Sequence, residues 1–379
     1  MSRFTLTRNA VASIALALTF AATPVIASPF AAVLPTSRSV EVDSTATVFA
    51  TIINPDDITA TNCAIEPATV QDADFFYQTT DPATNELTGT PNTPVDIPAG
   101  GSQSFLIGMT PRSEFAATNV EFAFFCGNTG ASPALEAINT LLLASSIAPT
   151  PDVVAVGLTA SGDGIATIPR DQQFGFLAVA TTNVGSAAQI TAQPRDIAGL
   201  DGTVLICETH PATGECLAAP AASVTALHPN ANTRTYSVFM SSDTRVPFNP
   251  TLRRVALEFL DDSGVVRGRT GVAVRGGGPS AFSHFRDNVA DQVVQNTCFS
   301  CHAVGGAAEN TPLVFVADTT PDYQQLNLDV FSAYLASETD ATTTLIDRVT
   351  GGGGHPQVQA PDSTGVAALT EAAFLILND

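Results

Sequence analysis

Up to about residue 275, short runs of β-branched, aromatic and aliphatic residues at 47–53, 104–109, 120–126 and 141–144 are separated by polar clusters. Asn54-Pro55-Asp56-Asp57 and Pro98-Ala99-Gly100-Gly101 close such runs with residues that favour turns. Several short strands with turns between them and few helical stretches predict a β-sandwich. The pattern then recurs. Ala50-Thr51-Ile52-Ile53-Asn54 is echoed by Ala180-Thr181-Thr182-Asn183, and the segment 81–86 (Asp-Pro-Ala-Thr-Asn-Glu) by 210–215 (His-Pro-Ala-Thr-Gly-Glu), at a spacing of about 129 residues. Ser104-Phe105-Leu106-Ile107 answers Tyr236-Ser237-Val238-Phe239, and Val120-Glu121-Phe122 answers Val255-Ala256-Leu257. The expectation is a tandem duplication: two all-β sandwich modules, 28–149 and 150–275, split near Pro149-Thr150-Pro151.

After Gly276-Gly277-Gly278-Pro279 the period changes. Phe282, Phe285, Val289 and Val293 recur at helical spacing and run straight into Cys298. Leu328, Phe331, Tyr334 and Leu335 repeat the signal, as do Leu345, Ile346 and Val349. A last helix is expected after Ser363 as its N-cap, burying Val366, Leu369, Ala373 and Leu377. Residues 276–379 therefore read as a small all-α domain joined by a flexible glycine linker.

Composition narrows the functions. The 379 residues are 45% hydrophobic, enough for two or three cores, yet the net charge is -21, with 36 carboxylates against 15 arginines and no lysine. Nucleic acid is excluded as a partner, because no basic patch can neutralise phosphates. Residues 1–27 have the form of a secretory signal: Arg3 and Arg8 precede an apolar stretch at 10–20, and Val25-Ile26-Ala27 offers small residues for cleavage. No later apolar run reaches the roughly 20 residues that span a bilayer, so no transmembrane segment is expected in the mature chain, and the product is exported to the periplasm or the cell surface of a bacterium.

In that compartment disulfides persist, and the six cysteines sort by spacing into three pairs. Cys63 with Cys126 is expected to bridge two strands across a sandwich, and Cys207 with Cys216 to close the loop carrying the Pro-Ala-Thr-Gly turn. The third pair differs. Cys298-Phe299-Ser300-Cys301-His302 supplies two thiols able to add to the vinyl groups of a haem and an adjacent imidazole for its iron. A thioredoxin-like pair or half a zinc site are the rivals, but no βαβ pattern surrounds the motif and no second cysteine pair lies near it. Of the remaining iron ligands, methionine is ruled out: Met1, Met109 and Met240 all precede this segment. His355, behind the glycines at 351–354, is the leading candidate for the sixth position, whereas His284 shares a polar helix face with Asn288, Asp291 and Gln295 and reads as a surface residue.

From about 282 to 379 the chain resembles the cytochrome c family, with an N-terminal helix, the attachment motif, a middle helix, a ligand-bearing loop and a closing helix. The stretch from Cys298 to Gly306, with Leu313-Val314-Phe315 and His355, is similar to small haem-c domains at the ends of modular bacterial surface proteins. The two preceding modules resemble Ig-like sandwiches, without tryptophan in their cores. The resemblance implies one covalent haem c on Cys298 and Cys301, His302 as proximal ligand, and one-electron transfer with a redox partner protein. The chain is then an electron carrier more than an enzyme. A haem-based sensor or peroxidase, and a surface adhesion or scaffold protein with an accessory haem domain, are the alternatives. No hydrolase constellation stands out: His210 and His228 read as surface loop residues, and Asp163-Gly164 and the segment 261–264 as hairpin turns in preference to calcium loops.

Overall fold

The computed structural model describes residues 27–352, 355 and 361–378. The proposed signal segment 1–27 therefore lies outside the described residues apart from Ala27. Among the described residues, no helix is long and apolar enough to cross a membrane.

The first nine strands are β1 (Phe30–Leu34), β2 (Ser37–Glu41), β3 (Ala46–Ile53), β4 (Ala60–Pro67), β5 (Ala73–Thr80), β6 (Val95–Ile97), β7 (Ser102–Pro111), β8 (Phe115–Phe125) and β9 (Thr140–Ser146). They form a sheet of order β1-β3-β7-β5 facing one of order β2-β9-β8-β4-β6. Inward positions alternate along β3, where Ala46, Val48, Ala50 and Ile52 are buried, and they meet Phe105, Ile107, Phe122 and Phe124 in one core. The next nine are β10 (Val153–Thr159), β11 (Ile165–Ile168), β12 (Gly175–Asn183), β13 (Ala188–Asp196), β14 (Val204–Thr209), β15 (Val224–His228), β16 (Thr233–Met240), β17 (Arg254–Asp261) and β18 (Val266–Gly276). Their sheets run β10-β12-β16-β14 and β11-β18-β17-β13-β15, the same two orders moved on by nine strands, over a second core. Even the single parallel pairing recurs, β2 with β9 and β11 with β18.

The repeated turns explain why the echo survives in sequence. Asp81 N–H donates to the Glu86 carbonyl and Asn85 N–H to that of Asp81, and His210, Glu215 and Gly214 make the same two bonds. Both turns need a left-handed residue at one position, supplied by Asn85 (φ 60°) and Gly214 (φ 73°). Asn54 and Asn183, buried at equivalent strand ends, each donate through Nδ2 to carbonyls across the sandwich edge. Between the modules, Arg38 pairs with the buried Asp152 at 2.9 Å, and the buried Arg269 reaches Glu136 at 2.7 Å.

Three expectations about the β modules and their junction with the helices are corrected. Cys63 and Cys126 are bonded, but β4 and β8 are neighbours in one sheet (Ala64 pairs with Phe125), so the bridge ties adjacent strands and does not cross the sandwich. Cys207–Cys216 closes its loop as expected, with Cys216 paired across to Thr209. The run Gly276-Gly277-Gly278 is no flexible linker: all three adopt positive φ, and their N–H groups donate to Val246, Ile168 and Ser242 carbonyls. A Cβ on Gly276 would sit 2.3 Å from the Ile168 carbonyl oxygen, so glycine serves close approach there.

His228 is the third correction. Unlike the exposed His210, it is fully buried, bonded through Nε2 to the Tyr236 hydroxyl at 2.8 Å and flanked by Phe259. The fold takes it because its backbone ends β15 while its ring fills the second core. Burial, with the charge of Arg234 adding to it, pushes its pKa from 6.5 down to about 4. Between those values the unfolded chain binds a proton that the folded chain refuses. Stability contributed by the neutral ring is thus full above pH 6.5 and is lost as the pH falls through 4, a total of about 3 kcal/mol. Denaturant titrations should give a steeper fall over that window in the wild type than in His228→Gln; equal slopes would contradict the assignment.

A third core is helical. One helix begins as α1 (Ala281–Phe285) and continues in π-helical form over Arg286–Cys298; α2 (Tyr323–Ser337), α3 (Ala341–Val349) and α4 (Ser363–Asn378) follow. Phe285, Val289 and Val293 face inward as their spacing requires, and α4 closes the core with Leu369, Ala372 and Ala373. Asp362, not Ser363, caps α4, its Oδ1 accepting from Gly365 N–H at 2.8 Å. Leu377 is 48% exposed where burial was expected, while Leu375 takes the inward position.

Candidate functional site

The π-helical segment delivers the Cys-x-x-Cys-His motif at its end. Phe299 N–H still donates to Val294, five residues back, and the chain then tightens, with Cys301 and His302 N–H groups both donating to the Cys298 carbonyl. Positions i, i+3 and i+4 of such a turn share a face, which places Cys298, Cys301 and His302 together. The chain then folds back on the motif: Ala308 N–H donates to Cys301 and Phe315 N–H to His302. Gly306 permits this, since a Cβ there would stand 2.4 Å from the Cys301 carbonyl oxygen.

That return fixes the imidazole. His302 Nδ1 lies 2.8 Å from the Leu313 carbonyl oxygen. A carbonyl only accepts, so Nδ1 carries the proton and Nε2 keeps its lone pair for a metal. The segment that holds the ring is itself clamped: the buried Asn327 of α2 accepts from Val316 N–H at 2.7 Å and donates to the Val316 carbonyl at 3.0 Å, with Gln295 donating to the same oxygen. Nothing in the sequence distinguishes Asn327 from its polar neighbours in Gln324-Gln325-Leu326-Asn327; only the fold reveals it.

A cavity of about 530 Å³ opens beside the motif, and Cys298, Cys301, His302 and His355 all line it. Its wall is mainly apolar, with Val294 and Phe315 from the motif segments, Phe331 from α2, Leu345 from α3 and Leu369 from α4. The volume falls within the roughly 300–1,000 Å³ of cofactor pockets. Within it the rings of His302 and His355 are nearly parallel, 14° apart, with centres 6.2 Å from each other. A separation of this size leaves room for one metal ion between the two rings. Two buried polar atoms in this cavity, His355 Nδ1 and the Tyr334 hydroxyl, have no hydrogen-bond partner among the described residues. Each such orphan costs about 1–3 kcal/mol. Arg348 and Glu338 complete the polar side, and burial together with Glu338 raises the Tyr334 pKa.

His284 takes no part. Its Nε2 lies 3.0 Å from the Ala368 carbonyl of α4, so it is a half-buried tie between helices and not the surface residue expected. Neither disulfide includes Cys298 or Cys301. Desolvation first, and the neighbouring Cys301 second, push the Cys298 thiol up to about 11, opposite to the lowered pKa of a thioredoxin-type nucleophile. Among the described residues no three or more His, Cys, Asp or Glu side chains gather to hold a bare metal ion.

No family model matches the chain, and no curated protein matches it. Among solved structures, it is similar to a family 123 glycoside hydrolase from Clostridium perfringens at 9% identity, over 38% of this chain and 30% of that one, with a TM-score of 0.22. A protein of unknown function from Porphyromonas gingivalis matches at 8% identity over 65% of this chain and 98% of its own, with a TM-score of 0.21. A CARDB domain from Pyrococcus furiosus, solved with di-metal ions, matches at 11% identity over 34% of this chain and 94% of its own, with a TM-score of 0.19. Similarity at these TM-scores carries no inference about activity.

Proposed function

We propose that the helical segment is a cytochrome c-like domain holding one covalent haem c, and that the protein is an exported one-electron carrier. The observation that carries the reading is the pair of parallel imidazoles, His302 and His355, 6.2 Å apart in an apolar cavity beside both motif cysteines. Cys298 and Cys301 would form the thioethers, and His302 and His355 would be the axial ligands. The Arg348 guanidinium on the cavity wall suits the cofactor's carboxylates as a planar cation. Haem bound there supplies an iron that accepts and returns a single electron.

The chain's own contribution is positional. Leu313 holds the His302 proton on Nδ1, and the Asn327 clamp keeps Leu313 in place through the adjoining segment. Phe315, Phe331 and Leu369 give the cavity apolar walls, and around a bound group such walls would strengthen every charge interaction. Export is supported by the N-terminal signal pattern and by two disulfides, which persist in oxidising compartments. A redox partner protein is required, because one haem does not make a conducting chain.

Purified protein from a host competent in cytochrome maturation should titrate reversibly between two spectroscopic states in a one-electron step, at a lower potential than a His/Met cytochrome. Carbon monoxide should bind the reduced form weakly, since His302 and His355 would both hold the iron. A redox-silent product would end the carrier reading, and rapid, complete carbon monoxide binding would favour a sensor or peroxidase instead.

A further inference from the structure

Among the described residues, eight large hydrophobic side chains stand exposed on strands, and seven of them lie on the sheet β1-β3-β7-β5 and its repeat β10-β12-β16-β14. The first sheet bears four of the seven, and there they are contiguous. Cross-strand pairing sets the exposed Phe30 beside Ile53 and Leu34 beside Phe49, and Phe49 in turn beside the half-buried Leu106 of β7. β5 adds Phe76, whose ring lies across Gly108: a Cβ there would meet it at 2.1 Å, so glycine lets the ring rest on the sheet. The alternate residues of these strands, such as Ile52 and Phe105, fill the core, so the exposed set forms one outer face.

That face is also uncharged. β1, β3 and β7 contain no ionisable residue, in a chain of net charge -21. Charge enters only at one end, where Asp74 of β5 is paired with Arg112, and Arg38, which donates to Thr47, is paired with Asp152. A contiguous apolar patch on an otherwise charged protein marks a contact surface. A basic partner would find no carboxylate on these three strands and an acidic partner no cation, so the occupant presents an uncharged sheet of its own. A second copy does so. Twisted sheets of one hand pack face to face about 10 Å apart, and this face is where the repulsion between two acidic copies is least. Four strands about 4.8 Å apart and about 25 Å long cover on the order of 500 Å². Two such faces would bury about 1,000 Å², the lower bound for a specific interface. We propose that the outer face of the first sheet packs against its equal on a second copy, giving an isologous dimer that dissociates on dilution.

Sedimentation equilibrium of the full chain over a hundredfold range of concentration, at low and at high salt, tests this. A monomer–dimer equilibrium is expected, strengthened by salt because screening removes the repulsion between the copies. Phe49→Glu places a carboxylate from each copy in the same contact and should weaken dimerisation at least tenfold. Leu227→Glu, at an equally exposed apolar position on β15 of the second sandwich, should leave it unchanged. Should Phe49→Glu unfold, as a melting curve would reveal, Phe30→Glu at a 63% exposed position should still weaken the dimer several-fold. A monomer under every condition, a dimer weakened by salt, equal dimerisation by the folded first-sheet variants and the wild type, or a dimer broken by Phe176→Glu on the repeated sheet instead, would overturn the proposal.

Discussion

Replacing Cys298 and Cys301 together with serine is expected to abolish covalent haem, taking the attached cofactor from near one per chain to none, while both sandwiches keep their melting behaviour. The reason lies in the separation of tasks. The thiols sit at the end of the π-helical segment and line the helical cavity, whereas the sandwich cores are closed by their own residues and by Cys63–Cys126 and Cys207–Cys216. Either single serine variant should retain one thioether and part of the cofactor. Mass spectrometry of the denatured chain and a haem stain after denaturing electrophoresis give the readout; full covalent loading of the double variant would contradict the roles assigned here.

Changing His355 is expected to alter coordination without detaching the cofactor. His355→Ala should leave the sixth position open to small ligands, so that carbon monoxide binds the reduced protein readily where it binds the wild type weakly. His355→Met should raise the midpoint potential by on the order of 0.1 V, a modest part of the roughly 0.8 V that axial ligands span. Both follow from the 6.2 Å ring separation and from His355 Nδ1, which is buried without a partner among the described residues. A spectrum, a potential and a carbon monoxide affinity all unchanged in both variants would remove His355 from the iron.

Much of the β architecture was legible because it is written locally. Alternating apolar runs gave β3, β7, β8 and β9, and the repeated Pro-Ala-Thr turns marked the same point in both modules because each turn demands a left-handed residue. The motif cysteines and His302 were legible for a similar reason: their spacing needs only one helical turn to bring them together. His355 stood out as the leading candidate because methionine is missing from the helical segment and glycines precede it.

The rest depends on what lies far away in sequence. Which sheet Cys126 joins is decided by strand order, and whether His228 faces the core by the register of β15 against β13, neither of which is a local property. The glycines at 276–278 look like a hinge until their partners at Ile168, Ser242 and Val246 are known. Asn327 and Tyr334 share this character, as each acquires its role only from residues that the fold brings to it.

Intact-mass measurement of the full chain, expressed where cytochromes are matured and recorded beside its visible spectrum, addresses the central claim most directly. A coloured protein heavier by one haem, with the added mass mapped to the peptide containing Cys298 and Cys301, is the expected result. A colourless chain of unmodified mass, its two motif thiols still reduced or merely linked to each other, would contradict it.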